Sequence, residues 1–215
     1  MTKRRFSFLR KLARDTRGVS VVEFGLLLPI LVFIGAGGLE LINFVLANQK
    51  IERIASITAD NVARNTLAPS ERSFVDTFSG VEEIAEPFDF HAAGRVIMTG
   101  VIGVPGNNGT IVGKVVWQRC TGALAGIGSS VGTQATNPNL WADGPDATLP
   151  AGVTLLQNQL VVISEVAYRY RPLISLAQLR APAGGDIVRQ RSIYVSRGQA
   201  FPYVTPVAGV TPPTC

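Results

Sequence analysis

The feature that most constrains this chain is an apolar segment from about residue 19 to residue 47, close to the amino terminus. Glu23, Glu40 and Asn43 interrupt it, and residues 24–39 carry no charge. As a helix, that uncharged stretch spans roughly 24 Å of a hydrocarbon core about 30 Å thick. Because no later run is comparably long, we predict a single membrane-spanning helix, with its two acids near opposite faces of the bilayer.

A basic leader precedes the apolar segment. Seven of the 20 Lys and Arg residues lie within residues 1–17, where Asp15 is the only acid. From residue 18 onward 13 basic and 14 acidic residues remain, so the net charge falls from +5 to −1. The basicity therefore gives no indication of nucleic-acid binding. Lys and Arg beside a membrane helix mark its cytoplasmic side, and we expect everything after residue 48 to lie outside the cytoplasm.

The junction between leader and helix brings a glycine close to an acid. A charged side chain at the centre of a membrane helix costs roughly 2.5 to 3.5 kcal/mol, so a residue such as Glu23 is expected to have a charged partner or a function. Cleavage after Gly18 would give Val19 a free ammonium group within about one helical turn of that carboxylate. A retained cytoplasmic flank explains the basic leader equally well. A secretory signal site does not fit, because the apolar run is too long and does not end in an Ala-x-Ala pattern.

The motif Gly18-Val19-Ser20-Val21-Val22-Glu23-Phe24 resembles the prepilin-peptidase site of the tight-adherence (Tad, Flp-type) pilus system. The longer stretch from Arg17 to Pro29, with Leu28-Pro29 inside the helix, is similar to the TadE/TadF-like minor pseudopilins. Glu40 near the end of the helix and the following Asn48-Gln49 also resemble that family. The close resemblance covers roughly residues 14–64.

This resemblance implies that a prepilin peptidase cleaves the chain, with Gly18 last in the leader and Val19 first in the mature protein. Glu23 and Phe24 would be the processing and assembly motif. A related group, the TadG-like proteins, shares the anchor pattern and retains its leader, so both possibilities stay open.

Two kinds of residue in the apolar segment are compatible with helix assembly. Pro29 removes one backbone donor and can kink the helix. Gly35, Gly37 and Gly38 form a narrow patch where another helix could approach closely. Both residue types are also simply common in membrane helices.

The outer part of the chain is predicted to be α+β. Ile51, Ile54, Thr58 and Val62 follow helical spacing, which predicts one helix from about residue 19 to 65 that packs on the outer domain. Pro69-Ser70-Glu71 indicates a helix start, with a second short helical stretch near residues 81–85.

Four segments have the composition of strands and are expected to form a mostly antiparallel sheet against the long helix, a pilin-like layout: 95–104, 110–120, 159–171 and 187–196. In the second of them, Val115 and Trp117 are expected on one face together with Ile111 and Gly113, and Lys114 and Gln118 on the other. Tyr168-Arg169-Tyr170-Arg171 alternates as expected for a strand with one solvent-exposed face; an interaction surface is the alternative.

The predicted organisation has four parts: a leader (1–18), a transmembrane helix (19–47), a helical periplasmic stem (48–90) and a β-rich periplasmic domain (91–215). The last includes an excursion, residues 121–157, that is rich in Gly, Ser, Thr, Asn and Pro and is expected to have little regular structure.

The chain has two cysteines, Cys120 and Cys215, and both fall in the part predicted to lie outside the cytoplasm. We expect them to pair and to tie the Pro-rich tail to the end of the second strand; two unpaired thiols are the alternative. By the chain-entropy model, closing a loop of about 95 residues is worth up to about 4 to 5 kcal/mol.

The sequence offers little for catalysis. His91 is the one histidine, and two distant cysteines make no zinc site. We therefore expect no cofactor, no metal and no enzyme activity. The resulting hypothesis is a single-pass pseudopilin of the bacterial inner membrane, with prepilin peptidase and other pilins or pseudopilins as partners. The alternatives are an unprocessed TadG-like periplasmic binding or adhesion protein and, less favoured, a periplasmic enzyme that uses His91.

Overall fold

The structure, a computed structural model, describes residues 18–106, 109–135, 142–173, 187–198 and 201–215. Within that part of the chain it contains three helices followed by four strands, which confirms the α+β prediction. The elements in chain order are α1 (Val19–Ala63), α2 (Glu71–Ala85), α3 (Phe90–Ala93), β1 (Gly94–Pro105), β2 (Ile111–Thr121), β3 (Leu160–Arg169) and β4 (Ile187–Val195).

The chain divides into two units, and α1 contributes to both. The first unit consists of Met1–Asn43 and Pro172–Ser175. The second consists of Phe44–Arg171 and Leu176–Cys215, and it holds the sheet and the elements packed on it.

Within the second unit, α1 buries one stripe of small and branched residues. The predicted stripe of Ile51, Ile54, Thr58 and Val62 is confirmed, and alanines between its members are buried as well. Small side chains allow close approach to the sheet, where the Thr58 hydroxyl lies 2.8 Å from the Ser164 hydroxyl in the buried interface. This hydrogen bond satisfies two polar groups that would otherwise be costly to bury.

The sheet is antiparallel throughout, with strand order β2-β1-β3-β4. One face carries the main hydrophobic core with the outer part of α1, helix α2 and α3. Its largest fully buried side chains include Trp117, Phe74 and Met98. The four-stranded antiparallel sheet expected from the sequence is therefore present.

A β-bulge changes the facing of side chains in β2. The register with β1 shifts after Gly100, so that Gly100 pairs with Trp117 while Val101 pairs with Val115. Trp117 consequently lies in the main core and Val115 in a second cluster on the opposite face. The prediction that these two residues share a face was wrong, because a bulge inserts one residue and reverses the alternation. Gly100 is required here, since a Cβ would lie 2.2 Å from the Trp117 ring.

The excursion between β2 and β3 covers the second face of the sheet. Val131 and Leu155 pack on Val101, Val161 and Ile163, all of them buried. This is why the middle of β3 is buried on both faces. At the end of β3 the predicted alternation is confirmed, with both tyrosines buried and both arginines exposed.

Helix α2 begins as predicted and then continues further. The Ser70 hydroxyl accepts from Ser73 N at 3.2 Å, and Ser70 N donates to the Ser73 hydroxyl at 3.1 Å, which together form a capping box. The separate helical stretch expected near residues 81–85 was wrong, since one helix runs through Gly80. Buried side chains at helical spacing on both sides of the glycine, among them Phe78 and Val81, hold that turn in place.

Candidate functional site

The first unit presents a helix that is apolar on every side. Val21 is 73% exposed, Phe24 57% and Ile34 64%. The most apolar 18-residue window of α1 has a mean hydropathy of 2.3 and is not buried at all. Among the described residues, this is the one helix long and apolar enough to cross a membrane. A surface helix of a soluble domain would show one polar face, so this surface fits a lipid environment.

The predicted cleavage site lies where α1 begins. Val19 is the first helical residue, and Val22 N donates to the carbonyl of Gly18 at 3.2 Å. A Cβ placed on Gly18 would meet no atom within 4 Å. Both residues of the predicted scissile bond are exposed, and a side chain at the glycine would not disturb the fold described.

Glu23 is exposed on the apolar helix, four residues after Val19. Residues separated by four positions share a helix face, about 6 Å apart along the axis. Within the described part of the chain, Glu23 takes part in no hydrogen bond or ion pair. The geometry thus presents a carboxylate and the backbone nitrogen of Val19 on one side of the helix.

The proline and glycines of the apolar segment leave the helix intact. Pro29 lies inside α1, which continues on both sides of it. A Cβ at Gly35, Gly37 or Gly38 would meet nothing within 4 Å. The helix surface at these glycines is therefore unoccupied, and the helix backbone is accessible there.

Glu40 has a specific contact within the first unit. Its Oε2 accepts a hydrogen bond of 2.9 Å from the backbone N of Leu173, in the segment that follows β3. The sequence placed this acid near the end of the membrane helix but gave no signal for its partner, which is 133 residues away along the chain.

The two cysteines form a disulfide, Cys120–Cys215, as expected. The backbone joins in holding the tail, because Cys120 N donates to the carbonyl of Pro213 at 2.8 Å. Arg95 Nη2 donates to the Cys215 carbonyl oxygen at 3.4 Å. The carboxy-terminal tail is thereby fixed along the outer edge of β2.

A buried ion pair connects α2 to β2, and no sequence pattern predicted it. Arg119 Nε donates to Glu71 Oε2 at 2.8 Å, and Arg119 Nη2 contacts the other carboxylate oxygen, giving a two-point pairing. The two side chains are only 10% and 5% exposed. The pair joins the first residue of α2 to β2, and its partners are too far apart in sequence to be matched by spacing.

His91 and Tyr168 are titratable groups that the structure places in or beside α3. His91 is exposed in the last turn of α3. Among the described residues no group of three His, Cys, Asp or Glu side chains could hold a metal ion. Burial raises the pKa of the Tyr168 phenol above its ordinary value, and the Asp89 carboxylate raises it further. Tyr168 stacks on Phe90 at 6.0 Å between ring centroids, which is the environment of a core residue.

Together these features define an α+β protein with one amino-terminal helix suited to a single membrane pass. Residues 18–64 match the model of the family described as TadE-like protein, which confirms the resemblance seen around Gly18 and Glu23. The match covers Gly18 and all of α1 and does not extend to the sheet. No curated protein and no solved structure gives a significant match to the chain.

Proposed function

We propose that this chain is a membrane-anchored pseudopilin that takes part in the assembly of a tight-adherence pilus. A prepilin peptidase cleaves it after Gly18, so that the mature protein begins at Val19. Residues 19–47 cross the inner membrane, residues 48–90 form a helical stem, and residues 91–215 form a periplasmic domain.

The observation that carries this proposal is the position of Glu23 on an apolar, exposed helix within the family match. An isolated carboxylate in lipid is unfavourable, because ionised groups lose their hydration there. Removal of the leader gives Val19 an ammonium group on the same helix face, one turn away. That charge can neutralise Glu23 in its own chain or in a neighbouring subunit, which links processing to the docking of helices.

The charges and the disulfide support the proposed orientation. The seven basic residues before the helix favour a cytoplasmic amino terminus. A disulfide persists in the periplasm and is rare in the cytoplasm, so the Cys120–Cys215 bond supports an outer location for the sheet domain. The partners proposed are the inner membrane, prepilin peptidase and the apolar helices of other pilins or pseudopilins.

Processing is tested by the mass of the intact protein after co-expression with an active prepilin peptidase. We expect the wild-type chain to begin at Val19 and the Gly18→Leu variant to keep its leader. Gly35→Leu is the matched control, because a Cβ at either glycine meets no atom within 4 Å. This control should be cleaved like the wild type.

A wild-type chain that still begins at Met1, while the same peptidase cleaves another substrate, would contradict the processing step. The alternative, a permanently anchored TadG-like binding or adhesion protein, would then be favoured. Normal pilus formation with Glu23→Gln would point the same way, because the proposed role of Glu23 requires its charge.

A further inference from the structure

The two edges of the sheet differ in their hydrogen bonding to other segments. The β2 edge is covered: Ala147 N donates to Gly113 O at 2.7 Å, Gln118 N donates to the Gln134 side chain at 3.0 Å, and Cys120 N bonds to the tail. Strand β4 lies at the opposite end of the sheet. Among the residues that the structure describes, none pairs with its outer side.

The backbone of β4 presents a defined set of groups to that outer side. Ser196 N donates to Leu160 O at 2.9 Å, in the same register as the pair Val161 and Val195. In an antiparallel ladder, hydrogen-bonded pairs alternate with pairs whose N–H and C=O groups point away from each other. The even-numbered residues of β4 therefore bond to β3. The odd-numbered residues, Arg189, Arg191 and Ile193, direct their backbone groups outward.

The same odd-numbered residues bring positive charge to one face. Arg191 lies opposite Glu165 on β3, and Arg189, two positions earlier in β4, is on the same face. Both arginines are exposed. Glu165 is already engaged by the Ser129 hydroxyl and by Ser130, whose backbone N lies 3.0 Å from its Oε1. A cavity of about 430 Å³ opens on this face, and both arginines line it.

We propose that β4 binds an extended segment of another polypeptide as a fifth strand, and that this segment carries acidic residues at alternating positions. Such a strand would form hydrogen bonds with the backbone groups of β4 that point outward. Its carboxylates would lie opposite Arg189 and Arg191, where opposite charges attract. The inference goes beyond the proposed function and holds whether or not the leader is removed.

A second copy of this chain does not supply that segment. None of its 15 Asp and Glu residues is followed by another acid two positions later. Pairing of β4 with β4 of a second copy would bring arginines near arginines, which is unfavourable. The chemistry therefore specifies a different polypeptide.

The experiment uses the full-length protein in detergent micelles and measures the fluorescence anisotropy of short labelled peptides. One peptide alternates threonine with glutamate, and a second replaces glutamate by lysine. A third keeps the glutamates but carries an N-methyl group on every residue, so that neither of its edges can pair along a strand. We expect only the first to bind, more weakly as salt increases.

The protein variants separate charge from fold. Arg189→Glu with Arg191→Glu should weaken binding by about tenfold or more, since two attractive cross-strand pairs become repulsive. The control pair is Arg53→Glu with Arg72→Glu, which makes the same change in net charge at exposed sites outside β4 and should bind as the wild type does. Arg189→Gln with Arg191→Gln removes the two charges without reversing them and should give a milder loss of binding. This variant replaces the first one if circular dichroism shows that the reversed charges unfold the protein.

Equal binding of the glutamate and N-methylated peptides would overturn strand addition. Absence of binding by the glutamate peptide would overturn the proposal as well. If the glutamine variants then associate with themselves, the arginines serve only to keep edge strands of separate copies apart.

Discussion

The two halves of α1 belong to one continuous helix but face different surroundings. From residue 19 to residue 46 nearly every side chain is exposed, and the surface is apolar all round. From Ala47 to Ala63 a single stripe is buried in the second unit, while charged residues such as Glu52 and Arg53 stay exposed. The same backbone thus carries a pattern suited to lipid and then a pattern suited to a water-facing domain.

The difference shows that periodicity, rather than hydrophobicity alone, separates the two roles. The inner half has apolar residues all around the helix axis, so it has no single apolar face that would pack on a core within the same chain. The outer half uses alanines and Thr58 for close packing on the sheet. If this comparison is right, substitutions in the second unit should cost folding stability, whereas equivalent changes in the inner half should not.

The largest effect is expected at the ion pair of the second unit. Arg119→Ala leaves the Glu71 carboxylate buried without its partner, which should lower the free energy of unfolding by about 3–5 kcal/mol. Urea unfolding in a mild detergent, followed by tryptophan fluorescence, measures this loss.

The control for that change is Arg72→Ala, since Arg72 makes a 4.0 Å pair with Asp76 in which both side chains are more than 60% exposed. Loss of such a surface pair should cost less than about 1 kcal/mol. Similar losses for the two variants would mean that burial of the Arg119 pair does not matter for stability.

The comparison between helix halves is tested directly by two isoleucines of α1. Ile54 is 1% exposed in the core, whereas Ile34 is 64% exposed. Ile54→Ala should cost about 2–5 kcal/mol, because it removes buried methylene groups and leaves a cavity. Ile34→Ala should change the stability of the second unit by less than about 0.5 kcal/mol in micelles. Equal losses, measured by the same urea unfolding, would break the distinction between the two halves.

Much of the fold could be predicted because local patterns determine it. The apolar run gave α1, the stripe through Ile54 gave its packing face, and alternation gave the four strands. The bulge that separates Val115 from Trp117 could not be predicted, since one extra residue in a strand leaves no mark on composition. The continuity of α2 through Gly80 depends on tertiary contacts that outweigh the weak helix propensity of glycine.

The candidate site was predicted in part. The family resemblance around Gly18 and Glu23 was readable because its residues are adjacent in sequence. The partners of Glu40 and Arg119 were not, because contacts across a hundred residues or across separate elements arise only when the chain folds. The outward arginines of β4 required the strand register, which sequence alternation alone does not give.

The smallest expected effect is the pH dependence linked to Tyr168. Burial, and then the nearby Asp89 carboxylate, raises the pKa of its phenol in the folded protein. An unfolded tyrosine titrates at about pH 10. The folded state therefore holds the proton more tightly, and this contribution to stability is fully present below that pH. It is lost as the pH rises through the folded pKa, because the unfolded chain then gains by ionising.

Tyr168→Phe should change stability at neutral pH by only about 0.5 kcal/mol and should flatten the decline above about pH 10. Tyr203→Phe is the control, because Tyr203 is 55% exposed whereas Tyr168 is 7% exposed. That variant should follow the wild-type curve in urea unfolding at a series of alkaline pH values. If the stability of the Tyr168 variant declines with pH as steeply as that of the wild type, the loss at alkaline pH comes from other groups. The burial of this phenol in the second unit then does not contribute to the loss.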